Sequence, residues 1–206
     1  MNTARLQPAG RRGYRAALGM WVFLGTEVLF IGPLFVAYAA LRLTHPDTFD
    51  AAARLTDLTL GTLNTGILLT SSFAMASAAA AGREAPRLAR RLLGVTLALG
   101  AAFLAVKGVE YAHDFRQGLF PGAGFQAPAG VDTRTAMQFF VLYFVCTGVH
   151  AVHLIAGLAL VGVLLARGPR PPGWARHIEL TGLYWHFVDV VWIFLFPAFY
   201  LAGRAA

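Results

Sequence analysis

The residues of this chain that could do chemistry are histidines and carboxylates inside long apolar stretches. His150 and His153 are three residues apart, so a helix would place them on one face. Glu27 lies in another stretch, with no charged residue within one helical turn of it. Imidazoles and carboxylates carry protons and bind metals, and they are costly at membrane depth unless they face protein, water or another charge. These residues are therefore candidates for a function.

The last apolar stretch carries the densest set of polar residues. Glu179 and His186 are seven residues apart, and Asp189 follows His186 by three, so all three lie near one stripe of a helix. Trp185 and Trp192 share a neighbouring stripe with Asp189. This content predicts a docking helix that packs against protein on that side rather than against lipid.

A polar cluster is predicted where the third apolar stretch ends. Lys107, Glu110, His113 and Asp114 are three or four residues apart, so one helix face carries them. The pattern favours snorkelling to the interface and capping of the helix end over a catalytic role.

Glu27 and the histidines leave alternatives open. Glu27 is either a hydrogen-bonded structural glutamate or a proton-linked or lipid-contacting residue, with a partner on another helix, a lipid or water. His150 and His153 could converge on one metal ion if an aspartate or a third histidine met them. Haem ligation would need histidines on paired helices at matched depths, whereas the other helices offer only His186 and the peripheral His113. Hydrogen bonds between helices are therefore the favoured role, and no metal site or catalytic residue is predicted.

Composition and hydropathy indicate the class of protein. The chain has 206 residues, of which 57% are hydrophobic and 13% charged, about half the charged share of a soluble domain. The one cysteine, Cys146, allows neither a disulfide framework nor a cysteine-based metal site. Five stretches reach the roughly 20 residues that a helix needs to cross a bilayer, and they lack β-barrel alternation. They cover residues 16–41, 58–81, 88–112, 135–166 and 177–202.

The sequence thus predicts an all-α integral membrane protein, a five-transmembrane-helix bundle. We expect one membrane domain over residues 16–203, after a cytoplasmic arm of residues 1–15. The first stretch is too long for a signal peptide and is read as a retained helix. Arginines in the N-terminal arm, in the connectors and at the ends of the stretches number eleven on the side of the N-terminus and five on the other. The positive-inside rule therefore predicts a cytoplasmic N-terminus and a periplasmic C-terminus, and it explains the net charge of +7 without a nucleic-acid partner.

Four motifs, in order along the chain, resemble the subunit III family of haem–copper respiratory oxidases such as cytochrome c oxidase. Glu27 matches that family's intramembrane carboxylate, and residues 184–192 are similar to its last helix almost letter for letter. The motifs are Thr-Glu-Val-Leu-Phe at 26–30, Lys-Gly-Val-Glu-Tyr at 107–111, Thr-Gly-Val-His-Ala-Val-His at 147–153 and Tyr-Trp-His-Phe-Val-Asp-Val-Val-Trp at 184–192. The chain lacks the first two helices of the seven-helix members and so resembles the five-helix bacterial form.

The resemblance implies a redox-inactive accessory subunit in the bacterial cytoplasmic (inner) membrane. Haem and copper are expected in partner subunits, so the chain would be enzymatic only as a component of a cytochrome c or quinol oxidase complex. It would pack on subunit I, with subunit II and a small subunit IV as further partners. It would also bind phospholipid and support proton uptake and the stability of the catalytic core.

Site residues are expected on this basis. Trp185 and Trp192 are expected to pack against another subunit. Lipid-linked, proton-linked or structural roles within the membrane are expected for Glu27, Glu110, His150, His153, Glu179, His186 and Asp189. Two alternatives stay open: a subunit III-like accessory protein of a nitric oxide reductase and, more remotely, a b-type cytochrome.

Overall fold

The computed structural model describes residues 8–127, 130–169 and 173–204, with side chains described from residue 16 onwards. The first helix already begins at Pro8, so the predicted arm is helical over its second half, while residues 1–7 lie outside the described residues. Two of the arginines counted for the predicted membrane orientation, Arg5 and Arg170, also lie outside the described residues.

Helices account for the fold, and the described ranges contain no strand. All of the helices except the second are long and apolar enough to cross a membrane. The chain is therefore an all-α, multi-pass membrane protein, as predicted. The helices are α1 (Pro8–Thr44), α2 (Pro46–Ala53), α3 (Leu58–Ala81), α4 (Pro86–Arg116), α5 (Thr133–Arg167) and α6 (Trp174–Phe196), and a π-helical turn (Pro197–Leu201) follows α6.

The helix ends differ from the predicted ones in ways that local chemistry explains. The predicted span 58–81 coincides with α3, whereas α4 and α5 run beyond the apolar residues at both ends. Asp132 starts α5, because its carboxylate accepts hydrogen bonds from the Thr135 hydroxyl and backbone nitrogen at 2.7 and 2.8 Å. These bonds lower the pKa of Asp132. Helix α2 forms in the connector between the first two predicted spans, with Pro46 in its first turn, where a missing N–H costs nothing.

Helix α6 is the centre of the packing. It contacts α3, α5 and α1, and 44% of its apolar window is buried against 11% for α1, which lies on the outside of the bundle. Trp185 and Trp192 are 0% and 1% exposed. The prediction that these two side chains pack against another subunit is wrong, because they have no surface left for one. Trp185 fills the space that Gly100 of α4 and Gly157 of α5 leave open.

The π-helical turn after α6 is fastened to the start of the bundle. The Tyr38 hydroxyl of α1 donates a hydrogen bond to the Ala198 carbonyl, and the Thr56 hydroxyl donates to the Phe199 carbonyl at 3.2 Å. Tyr200 then points into the bundle and is fully buried. Its ring lies against Gly61 of α3 so closely that a Cβ there would sit 2.6 Å from the ring.

Gly61→Ala is expected to destabilise the protein. The added methyl group would overlap the buried Tyr200 ring, and overpacking of this kind typically costs about 1–3 kcal/mol. Thermal unfolding of the purified protein in detergent measures the effect. Gly66→Ala, in the same helix with open space around its Cβ position, is the control and should leave stability unchanged or slightly raised. Equal stability of the two variants would show that packing of the Tyr200 ring does not require a glycine at position 61.

Candidate functional site

A cluster of charged side chains is buried where α4 meets α5 and the π-helical turn. Lys107, Glu110 and Asp114 are 3%, 0% and 2% exposed. They share one helix face as predicted, but this face points into the bundle, so the prediction of snorkelling to the interface is wrong for them. His113 lies on the exposed side instead, with its Nε2 atom 2.6 Å from Gln117 Nε2.

Two tyrosine hydroxyls complete this cluster. Lys107 Nζ lies 3.1 Å from Glu110 Oε2 and donates to the hydroxyls of Tyr143 and Tyr200 at 2.9 and 2.6 Å. The Tyr200 hydroxyl lies 2.6 Å from Glu110 Oε1. The Tyr143 hydroxyl lies 2.7 Å from Glu110 Oε1 and 3.1 Å from Asp114 Oδ2, with one proton to share between them. The tyrosines thus supply the polar contacts that water would supply outside the membrane.

The aromatic rings around Lys107 also contribute. Its ammonium lies 4.5 Å from the centre of the Tyr143 ring and 4.9 Å from that of Tyr111. Rings at such distances attract a cation through their quadrupole, most strongly when water is excluded. The lysine is therefore held by α4, α5 and the π-helical turn together.

Glu27 meets His153 of α5 across the bundle. Its Oε2 atom lies 2.9 Å from His153 Nε2, and the His153 Nδ1 atom lies 2.9 Å from the Val149 carbonyl oxygen. A carbonyl oxygen can only accept a hydrogen bond, so Nδ1 carries a proton. The Nε2–Oε2 contact then holds one further proton, which either the imidazole or the carboxyl group can carry. Chemically, this pair can hold and exchange a proton.

His150 does not share these partners. Its ring packs between Phe103 and Trp192, with ring centres 5.5 and 5.1 Å away. Neither ring nitrogen has a hydrogen-bond partner among the described residues. A cavity of about 10 Å³ lies between His150 and His153, close to the smallest volume that holds one water molecule. The described residues contain no group of three histidine, cysteine or acidic side chains that could hold a metal ion.

The polar residues of α6 fall into two separate places. His186 Nδ1 lies 2.8 Å from the Ser72 hydroxyl of α3 and 3.9 Å from Asp189 Oδ2 of its own helix. Asp189 is buried, whereas His186 is partly exposed. Glu179 instead forms an exposed ion pair with Arg83 at 2.9 Å, a contact that typically contributes little stability. The stripe predicted from sequence is therefore divided, and Ser72 is a partner that spacing could not identify.

An apolar groove runs between α1 and α6 on the outside of the bundle. Two open concavities of about 350 and 410 Å³ lie along it. His186 lines the edge of the larger one. The apolar lining includes Trp21, Leu24, Val28, Phe187, Val190 and Phe194.

Comparison with known proteins identifies the family. The family model described as cytochrome c oxidase subunit III matches residues 7–204. The chain belongs to the cytochrome c oxidase subunit III family. It is 33% identical to cytochrome c oxidase subunit 3 of Thermostichus vulcanus, over 91% of this chain and 87% of that protein. It is 32% identical to cytochrome bo(3) ubiquinol oxidase subunit 3 of Pseudomonas aeruginosa, over 93% and 87%, and 30% identical to quinol oxidase subunit 3 of Bacillus subtilis, over 98% and 94%.

Membership of the subunit III family confirms the main functional prediction. The chain is an accessory subunit of a haem–copper terminal oxidase complex, with other oxidase subunits as its partners. All three relatives are named as oxidase subunits, which supports this function over the nitric oxide reductase alternative. Their names include both cytochrome c and quinol oxidases.

Removal of the buried lysine is expected to destabilise this subunit III strongly. Lys107→Met would leave Glu110 and Asp114 buried without their counter-charge, and breaking a buried pair in this way costs about 3–5 kcal/mol. Lys107→Met/Glu110→Leu removes both charges of the pair and should cost less than the single change. Unfolding in detergent measures both, with the exposed Arg116→Gln as the control. A loss below about 1 kcal/mol for Lys107→Met would contradict the structural role of the cluster.

Proposed function

We propose that this chain is the redox-inactive subunit III of a bacterial terminal oxidase and packs directly on subunit I. Subunit II and a small subunit IV complete the complex in the cytoplasmic membrane, and haem and copper belong to the partner subunits. The family match over residues 7–204 is the observation that carries the proposal. The arginine asymmetry supports a cytoplasmic N-terminus and a periplasmic C-terminus.

The groove between α1 and α6 is proposed to hold phospholipid acyl chains. Its walls are almost entirely apolar, and its two concavities follow one another along the helices, as an extended hydrocarbon chain requires. Both concavities share Val28, Phe187 and Val190, so they form a continuous surface. A lipid in this groove would fill the space between the outer helix and the rest of the bundle.

Glu27 and His153 are proposed to act as a proton-holding pair beside this groove. Glu27 directly precedes Val28 of the groove wall, and 17% of its side chain is exposed. The carboxyl group and the imidazole are each other's hydrogen-bond partners, with one exchangeable proton between them. This arrangement suits a role in supporting proton uptake by the catalytic core. The Lys107 cluster and the contact of His186 with Ser72 are proposed to be structural, since they fasten helices of the bundle to one another.

Purification in mild detergent tests the partner assignment. An affinity-tagged chain is expected to bring down a haem- and copper-bearing subunit I and a subunit II in equal amounts, identified by mass spectrometry. The preparation should show haem absorbance, and the chain separated from its partners should show none. Recovery with a nitric oxide reductase, or a stoichiometric Soret band in the isolated chain, would contradict the proposal.

A hydrophobic carbodiimide is expected to label Glu27 in preference to the other acidic residues. The carboxyl groups of Glu110 and Asp189 also lie within the membrane spans but are 1% and 5% exposed, so the reagent cannot reach them from the lipid. Peptide mapping by mass spectrometry locates the label, and Glu27→Gln is the control that removes it. If the carboxyl supports proton uptake, the Gln variant should assemble normally and lose oxidase activity faster during turnover. Equal labelling of Glu110 or Glu179 would show that Glu27 is not special.

A further inference from the structure

Three exposed arginines at the start of α4 line a concave surface. Arg90 and Arg91 follow Arg87 by three and four residues, which places all three on one face of the first two turns of α4. Together with Leu165, near the end of α5, they line an open concavity of about 400 Å³. This place is separate from the apolar groove between α1 and α6.

The charge of this concavity is not balanced by the residues described around it. The first turn of α4 contains no acidic residue. Among the described residues, Glu179 at this end is already paired with Arg83, and Glu84 forms no ion pair with the three arginines. Like charges four residues apart on a helix destabilise it, so an anion bound between them would relieve a repulsion that the chain leaves in place.

The surroundings indicate what kind of anion fits. Guanidinium groups bind phosphate oxygens in a bidentate geometry and do so better than ammonium groups. One turn deeper along the same stripe as Arg91, Val95 is apolar and 46% exposed, and Leu165 forms an apolar part of the wall. The concavity thus has a basic rim at the end of a membrane span and an apolar surface toward the bilayer.

We propose that this concavity binds the phosphate head group of an anionic phospholipid. The three arginines hold the phosphate, and Leu165 and Val95 contact the upper part of an acyl chain. A zwitterionic lipid is disfavoured, because its choline or amine group would bring a positive charge next to the guanidinium groups. This site depends only on the membrane-spanning fold and not on which oxidase subunits accompany the chain.

Lipid titration followed by native mass spectrometry tests the site, on the full chain within its purified complex. The probes are short-chain phosphatidylglycerol, short-chain phosphatidylcholine and glycerol phosphate. Each basic residue near a membrane strengthens binding of anionic lipid about fivefold, so Arg87→Gln/Arg90→Gln/Arg91→Gln should weaken phosphatidylglycerol binding roughly 100-fold. The matched control, Arg116→Gln/Arg134→Gln/Arg167→Gln, removes three exposed arginines outside the concavity and should keep wild-type binding.

A second variant keeps the test decisive if loss of three charges disturbs membrane insertion. Arg87→Lys/Arg90→Lys/Arg91→Lys keeps the charge and loses the bidentate geometry, so its binding should fall between those of the wild type and the Gln variant. Unchanged phosphatidylglycerol binding in the Gln variant, or in the Lys variant where only that one folds, would overturn the proposal. Competition by glycerol phosphate at the same concentration as the lipid would assign the site to aqueous phosphate instead. Loss of an oxidase subunit with unchanged lipid binding would assign the arginines to a protein contact.

Discussion

A lysine buried within a membrane bundle is the constraint on which much of this structure depends. Lys107 cannot reach water, so its charge is stabilised by Glu110, by tyrosine hydroxyls and by aromatic rings. Because these partners come from α4, α5 and the π-helical turn, three separate parts of the chain must meet at one point. The close approach of Tyr200 to Gly61 and the hydrogen bond from Tyr38 to the π-helical turn both serve this meeting.

Polar contacts elsewhere in the bundle link one pair of helices each. Glu27 and His153 join α1 to α5, and Ser72 and His186 join α3 to α6. In lipid the hydrophobic effect does not drive helices together, so packing and such hydrogen bonds set which faces meet. Outer helix α1 has few contacts with the rest, so the contact of Glu27 with His153 and that of Tyr38 with the π-helical turn have a larger share in placing it.

The sequence was sufficient for the class of fold but not for the partners within it. Length and hydropathy predict five spans because the bilayer imposes a minimum length, and the structure has them. Spacing predicts that Lys107 and Glu110 share a face, yet it cannot tell whether this face meets lipid, water or protein. The two tyrosines whose hydroxyls bind Lys107 inside the bundle are 36 and 93 residues away from it in the sequence. For the same reason Trp192 could be assigned to a packing surface but not to the interior of its own chain.

The order along the chain of the residues that bind Lys107 has a consequence for biosynthesis. When α4 enters the bilayer, Tyr200 has not yet been translated, because it lies 93 residues after Lys107, so the ammonium then lacks this hydroxyl as a partner. The solvation of the Lys107 ammonium is therefore completed only after α6 and the π-helical turn have joined the bundle. A chain that stops before Tyr200 therefore keeps an incompletely solvated charge in the membrane.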